Sequence, residues 1–145
     1  MALKYSKSKN NGLVAYCDSD FAGDKSGKST SGYIINYGGA PIHWKSQKQP
    51  LVSLSSTEAE LVSLGSTVKD LVWIRQLGQE LEIIDKQPTI IHCDNQSAIK
   101  LALNEKSQQR TRHMGVRPAF TREQVNNKEV EVRHIRTDNL SLIHI

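Results

Sequence analysis

Short apolar or alternating stretches occur at five places along the chain, and each predicts a β-strand. The first stretch, LVAYC, runs directly into Asp18, and the fourth, TIIHC, runs directly into Asp94. Gly38 and Gly39, between the second and third stretches, are typical of a hairpin turn. The predicted strands cover residues 13–19, 32–37, 41–45, 89–93 and 129–135.

A helical repeat of apolar residues separates the third and fourth predicted strands. Leu61, Leu64, Val68 and Leu71 recur every three or four positions, after a run of hydroxyl residues that is typical of a helix N-terminus. The predicted helices cover about residues 56–81, 95–103 and 121–127, and residues 136–145 are predicted as a tail. Gly115 and Pro118 argue against a clean earlier start of the third helix.

The order of these elements, β-β-β-α-β-α-α-β, predicts an α/β fold in which a mixed five-stranded sheet carries helices on its faces. A length of 145 residues with 37% hydrophobic content fits one globular domain. We expect residues 13–139 to form that domain. Residues 1–12 are polar and basic, so they are predicted to be a linker or tail.

Composition excludes some classes of protein and favours an intracellular one. No apolar run approaches the length of about 18 residues that a membrane-spanning helix needs. Cys17 and Cys93 each lie in an apolar stretch, so they are predicted to be small buried residues without metal-ligand spacing along the chain. The net charge of +4 weakly favours a polyanionic partner.

Three acidic residues lie next to predicted elements: Asp18 and Asp94 at strand ends, and Glu60 in the first turn of the long helix. If the first and fourth strands are parallel neighbours, Asp18 and Asp94 lie side by side, where Glu60 can reach them. Clustered carboxylates repel each other unless a cation joins them, and oxygen ligands suit Mg²⁺ or Mn²⁺. The alternative is that each acid is only a helix cap or a surface charge.

Glu58 and Glu60 are separated by two positions, which places them roughly 200° apart around a helix. Glu60 is closer to the side that carries Leu64 and Leu71, which should face the sheet. Glu60 is therefore the preferred candidate.

Basic and hydroxyl residues follow the first strand, and such groups contact phosphates and 2′-hydroxyls. A solvated basic surface is the alternative, and Trp44 either stacks on a nucleotide or packs in the core. The candidate nucleic-acid contacts are Lys25, Lys28, Ser29, Thr30, Ser31, Asn95, Gln96 and Arg112.

Five stretches together carry a specific resemblance: YCDSDFAGD, KSTSGYIINYGGAPIHWKSQKQPLVSLSSTEAEL, IIHCDNQSAIKLA, RTRHM and EVEVRHIRTDN. In this order they resemble the ribonuclease H domain of copia-type LTR retrotransposon Pol polyproteins, from about residue 3 to residue 139. The resemblance implies a ribonuclease H-like fold and an endonuclease with two Mg²⁺ ions, or Mn²⁺. It implies that the enzyme hydrolyses the RNA strand of RNA–DNA hybrids during reverse transcription, beside a reverse transcriptase domain of the same polyprotein.

The same resemblance assigns residues and a place in the cell. Asp18, Glu60 and Asp94 match the catalytic, metal-binding acids, and Asp20 and Glu58 are secondary candidates within the same motifs. The implied location is intracellular, in a cytoplasmic retrotransposon particle, with the nucleus as a further possibility.

The chain departs from the family pattern near its end. The family has Asp at the position of Gly115, and aromatic and His residues at those of Pro118 and Ala119. After the position of Asn139, members of the family continue into a last helix with a fourth catalytic Asp, where this chain has LSLIHI. The resemblance therefore implies a truncated C-terminal helix and a weakened nuclease, or an inactive nucleic-acid-binding remnant of a polyprotein. Residues 140–145 resemble translated sequencing-adapter DNA, which predicts a non-native tail.

Overall fold

The computed structural model describes residues 12–105 and 118–141, and within them one mixed sheet carries the fold. The strand order is β3-β2-β1-β4-β5. The strands are β1 Leu13–Asp20, β2 Thr30–Tyr37, β3 Ala40–Lys48, β4 Thr89–Cys93 and β5 Val130–His134. The helices are α1 Ser56–Glu80, α2 Gln96–Leu103, α3 Pro118–Asn126 and α4 Thr137–Ser141. The predicted fold class is thus confirmed.

Strand β1 occupies the centre of the sheet. It pairs antiparallel with β2 and parallel with β4, in a register that places Cys17 opposite Cys93. Because this pair closes the parallel ladder, the next residues of both strands lie at the same edge: Asp94 follows the end of β4, and Asp18 is still paired with Gly32 of β2. The first and fourth strands are therefore parallel neighbours, which is the condition under which Asp18 and Asp94 were expected to lie side by side.

The hairpin between β2 and β3 depends on its two glycines. Gly38 and Gly39 have φ angles of 58° and 83°, in the left-handed region that favours glycine. Two consecutive positive φ angles give the turn that matches the twist of an antiparallel pair. The predicted hairpin is confirmed.

Helix α1 covers one face of the sheet with its apolar stripe. Leu61, Leu64, Val68 and Leu71 are all buried, in one cluster with the inward residues of β1, β2 and β4. The helix begins at Ser56 because the Ser55 hydroxyl caps it, accepting a hydrogen bond from the Glu58 N–H at 3.2 Å. The long predicted helix is confirmed to within a residue at each end.

Two helices differ from the prediction near the end of the chain. Helix α3 includes Pro118, three residues before the predicted start, and a proline in a first helical turn lacks only an N–H that the helix does not use. Helix α4 forms at Thr137–Ser141, where a tail was predicted. Gly115, residues 1–11 and residues 142–145 lie outside the described residues. None of the described helices is long and apolar enough to cross a membrane.

Arg75 is a buried cation that ties α1 to the sheet. Its side chain is 2% exposed and donates to the Gln87 carbonyl at 2.9 Å and the Thr89 hydroxyl at 2.7 Å. It also pairs with the Glu129 carboxylate at 3.1 Å, just before β5. One side chain thereby joins α1 to the starts of two strands.

We expect Arg75→Ala to lower the free energy of unfolding by about 2–3 kcal/mol, because it leaves buried acceptors unpaired. Arg133→Ala is the matched control, since Arg133 also pairs with a glutamate but its side chain is 53% exposed. The control should change stability by about 0.5 kcal/mol or less. Urea unfolding of both variants measures the difference, and equal losses would contradict this role of Arg75.

Candidate metal-binding active site

Three acidic side chains lie at the edge of the sheet where β1 and β4 end. Asp18 is the sixth residue of β1, and Asp94 follows β4 directly. Both are partly buried, and a third carboxyl group, that of Glu60, arrives from the first turns of α1. The structure therefore brings together the three acids that the sequence selected.

Glu60 is the most enclosed of the three, with 5% of its surface exposed. Its Oε1 accepts hydrogen bonds from the Ser19 N–H at 3.0 Å and from the Ser19 hydroxyl at 2.8 Å. Ser63, about one helical turn later, donates to the Asp18 carbonyl at 2.7 Å. Two side chains of α1 thus bind the backbone at the end of β1.

Burial and the neighbouring carboxyl groups disfavour the charged forms of Glu60 and Asp94. Burial, the neighbouring Asp18 carboxylate and the charge of Asp94 together raise the pKa of Glu60 to about 9, against the lowering effect of the Ser19 hydrogen bond. Burial also raises the pKa of Asp94, and the Asp18 charge adds to that effect. The Thr137 hydroxyl, which donates to Asp94 Oδ2 at 3.2 Å, opposes it. A positive charge would relieve this repulsion.

The donor atoms fit a divalent ion. Oε2 of Glu60 is buried and has no hydrogen-bond partner among the described residues. Ligand atoms of Glu60, Cys93 and Asp94 lie within 4.8 Å of one another. Asp18 is not in this compact group, although its carboxylate interacts with that of Glu60. Carboxylate oxygens suit Mg²⁺ and Mn²⁺, and an orphaned buried oxygen is a free ligand for such an ion.

The secondary acidic candidates have other positions. The Glu58 carboxylate accepts a hydrogen bond from the Leu54 N–H at 2.7 Å, so it closes the N-terminus of α1. Asp20 is exposed, and its carboxylate folds over the following turn: a Cβ on Gly23 would lie 2.2 Å from Asp20 Oδ2. A side chain at position 23 would therefore require the exposed Asp20 carboxylate to rotate away.

The candidate nucleic-acid contacts divide by exposure. Lys25 is exposed, while Lys28 and Thr30 are half-buried. Ser29 and Ser31 are buried, and their hydroxyls bind within the protein: the Ser29 hydroxyl accepts from the Ala22 N–H, and that of Ser31 accepts from the Gln49 amide. These serines shape the loop from inside it, which the density of hydroxyls in the sequence did not reveal.

The remaining candidates lie after β4. Asn95 caps α2, since its Oδ1 accepts from the Ala98 N–H at 2.9 Å. Gln96 is exposed in the first turn of α2, and Arg112 lies outside the described residues. Trp44 is 59% exposed, which excludes the core-packing alternative for its ring.

Sequence reasoning missed several residues that hold the site. Ser63 follows Glu60 by three positions, a spacing that places both on one helix face and that offered a signal for it. Ser19, Thr137 and Gln49 gave no such signal, because their partners are distant in the chain. Cys93 was set aside for lack of ligand spacing along the chain, yet its sulfur joins the group of ligand atoms in space.

The strand order and helices of the chain form a ribonuclease H-like fold. The structure of LC11-RNase H1, isolated from compost by a metagenomic approach, superposes with a TM-score of 0.57 at 15% identity, covering 91% of this chain and 89% of that one. The crystal structure of LC11-RNase H1 in complex with RNA/DNA hybrid gives a TM-score of 0.54, with 90% of each chain covered. RNase H1 from Halobacterium salinarum also gives 0.54.

Sequence comparison then identifies the chain more closely. It is 39% identical over 127 residues to the retrovirus-related Pol polyprotein from transposon TNT 1-94 of Nicotiana tabacum, and 41% identical over 126 residues to that from transposon RE1 of Arabidopsis thaliana. These matches cover 87% and 86% of this chain but 10% and 9% of the polyproteins, so the chain spans about a tenth of their length. No protein-family model matches it.

The chain is thus homologous to one segment of transposon Pol polyproteins and has a ribonuclease H fold. This confirms the predicted resemblance to the ribonuclease H domain of copia-type retrotransposons.

We expect the stability of the metal-free protein to fall as pH rises from about 5 to about 9. Folded Glu60 keeps its proton up to a pKa of about 9, whereas the unfolded chain releases it near the ordinary value of 4.5. The folded state therefore binds more protons in this window, and each pH unit costs up to about 1.4 kcal/mol.

Glu60→Gln should flatten this pH dependence, because the amide does not titrate. Denaturant unfolding in the presence of a chelator, repeated across the window, gives the slope. Glu58→Gln is the control, since it leaves Glu60 in place and should keep the wild-type slope. A wild-type slope in Glu60→Gln would show that the buried carboxyl is not its source.

Proposed function

We propose that the chain is a divalent-metal-dependent endonuclease that hydrolyses the RNA strand of RNA–DNA hybrids during retrotransposon reverse transcription. The observation that carries this proposal is the buried Glu60 carboxyl, which lies beside Asp18 and Asp94 and whose Oε2 has no hydrogen-bond partner among the residues that the structure describes. We propose Asp18, Glu60 and Asp94 as the residues that hold Mg²⁺, with Mn²⁺ as a substitute.

A bound divalent ion supplies an activated water and stabilises the leaving oxygen of a phosphodiester. The residues of the chain position the ligands. Ser19 orients the Glu60 carboxyl through two hydrogen bonds, and Ser63 holds the Asp18 carbonyl from the same helix face. Thr137 restrains Asp94 from the start of α4. Such restraint before substrate binds is what makes electrostatic catalysis effective.

The polar surface around the acids suits a nucleic-acid backbone. The loop that carries Lys25 and Lys28 leaves β1 at the same edge of the sheet as Asp18. Gln96 is exposed in the first turn of α2, where free N–H groups favour phosphate. Exposed Trp44 offers a stacking surface on β3.

The relatives support the biological setting of this proposal. Those reported above are Pol polyproteins of transposons, and one structural neighbour was solved with an RNA/DNA hybrid. We propose that the segment acts beside a reverse transcriptase domain of such a polyprotein, in a cytoplasmic retrotransposon particle.

Cleavage of an end-labelled RNA–DNA hybrid in Mg²⁺ and in Mn²⁺ tests the proposal. Asp18→Asn, Glu60→Gln and Asp94→Asn should each lower the cleavage rate by on the order of 10²-fold or more, because each removes a fixed charge from the reacting centre. Glu131→Gln is the control, since this exposed acid lies on β5, away from the cluster.

The outcomes separate the candidate functions. Cleavage that persists unchanged in Asp94→Asn would come from another enzyme in the preparation and would contradict the proposal. Binding of the hybrid by folded protein without cleavage in either ion would instead support an inactive nucleic-acid-binding remnant.

We expect Lys25→Ala to weaken hybrid binding a few-fold and to reduce the slope of log affinity against log salt by about 1, because one phosphate contact is lost. Lys86→Ala is the control, since Lys86 is exposed before β4, at the opposite edge of the sheet. Fluorescence anisotropy across a salt series measures both. An unchanged slope in Lys25→Ala would remove this loop from the interface.

A further inference from the structure

A cysteine sulfur lies among the acidic ligands at the end of β4. The Sγ atom of Cys93 and carboxylate oxygens of Glu60 and Asp94 are within 4.8 Å of one another. Cys93 is fully buried and forms no disulfide. The proposed nuclease reaction gives this thiol no part, and a hard ion such as Mg²⁺ does not select sulfur.

We propose that Glu60, Cys93 and Asp94 form a binding site for a thiophilic divalent cation of the Zn²⁺ or Cd²⁺ type. One thiolate and two carboxylates are a ligand set that Zn²⁺ accepts in proteins, with water in a remaining position. On binding, the Cys93 thiol and the protonated Glu60 carboxyl each release a proton to solvent, and metal–sulfur and metal–oxygen bonds form with no change of oxidation state.

The burial of Glu60 supplies an independent reason to place a ligand here. Its side chain is 95% buried, since 5% remains exposed, and Oε2 has no hydrogen-bond partner among the described residues. Oε1 is already bound by Ser19, so Oε2 is the oxygen left for a ligand. An orphaned buried oxygen costs free energy that a bound cation would recover.

The environment of the sulfur also favours a fixed ligand. Cys93 is the last residue of β4, held between β1 and β5, and its carbonyl accepts from the Ile135 N–H at 2.9 Å. Cys17 lies opposite it on β1 but outside the group of ligand atoms. The proposal therefore predicts different effects on metal binding for substitutions at the two cysteines, and Cys17 is the matched control.

Such an ion would compete with the ion of the proposed nuclease, because Glu60 and Asp94 serve both. We therefore expect Zn²⁺ or Cd²⁺ to inhibit hybrid cleavage, and this consequence alone rests on the proposed function. Binding of the soft ion itself does not require that function.

The test is a Cd²⁺ titration of the 145-residue protein, kept reduced by a phosphine. The readouts are the ultraviolet charge-transfer absorption of a cadmium–thiolate bond and calorimetric affinity. The wild type should show the absorption with one ion bound per chain. Cys93→Ser should lose the absorption and at least about tenfold in affinity, whereas Cys17→Ser should keep both.

Glu60→Gln separates this site from a cysteine that binds Cd²⁺ alone. It should retain some absorption but lose affinity by about tenfold, because one of the three ligands is neutral. Thermal unfolding of each variant confirms that the protein tested is folded. The proposal would be overturned if the wild type showed no absorption, if the absorption survived in Cys93→Ser, or if it disappeared equally in Cys17→Ser. So would an affinity unchanged in Glu60→Gln.

The two proposals fail separately. If the protein binds Cd²⁺ through Cys93 but never cleaves a hybrid, the nuclease proposal is refuted and the cation-site proposal is supported. If the protein cleaves the hybrid with Mg²⁺ but gives no cadmium–thiolate signal, the nuclease proposal is supported and the cation-site proposal is refuted.

Discussion

The burial of the Glu60 carboxyl against the end of β1 is the interaction on which the rest of the site depends. A buried carboxyl group is costly unless it is hydrogen-bonded, neutralised by a proton or joined to a cation. Ser19 provides two hydrogen bonds to one oxygen, and burial raises the pKa of Glu60, which favours the protonated form in the absence of metal. The same contact fixes where α1 crosses the sheet.

This constraint links the fold to the proposed chemistry. The parallel pairing of β1 and β4 brings Asp18 and Asp94 to one edge, and the apolar stripe of α1 carries Glu60 over it. A proton held by Glu60 is exchangeable for a metal ion, so the site is stable in the absence of metal and has a ligand ready when metal arrives. Ion binding should therefore release a proton.

Features that repeat at short intervals could be predicted from the sequence, and features that depend on distant partners could not. The hairpin at Gly38 and the stripe of α1 follow from local turn and helix chemistry. The burial of Ser29 and Ser31 could not be predicted, because the sequence of a polar loop does not distinguish a hydroxyl that faces solvent from one that faces the interior. Arg75 and Cys93 acquire their partners only when α1, β4 and β5 meet, and α4 follows a sequence with no apolar repeat.

The central claim is that the Glu60 cluster binds a divalent ion in place of a proton. Calorimetric titration of Mn²⁺ into the metal-free protein near neutral pH, in two buffers of different ionisation enthalpy, measures binding and proton release together. The account predicts saturable binding with release of a proton in the wild type, and weak binding without that release in Glu60→Gln. Equal binding and equal proton release in both proteins would contradict it.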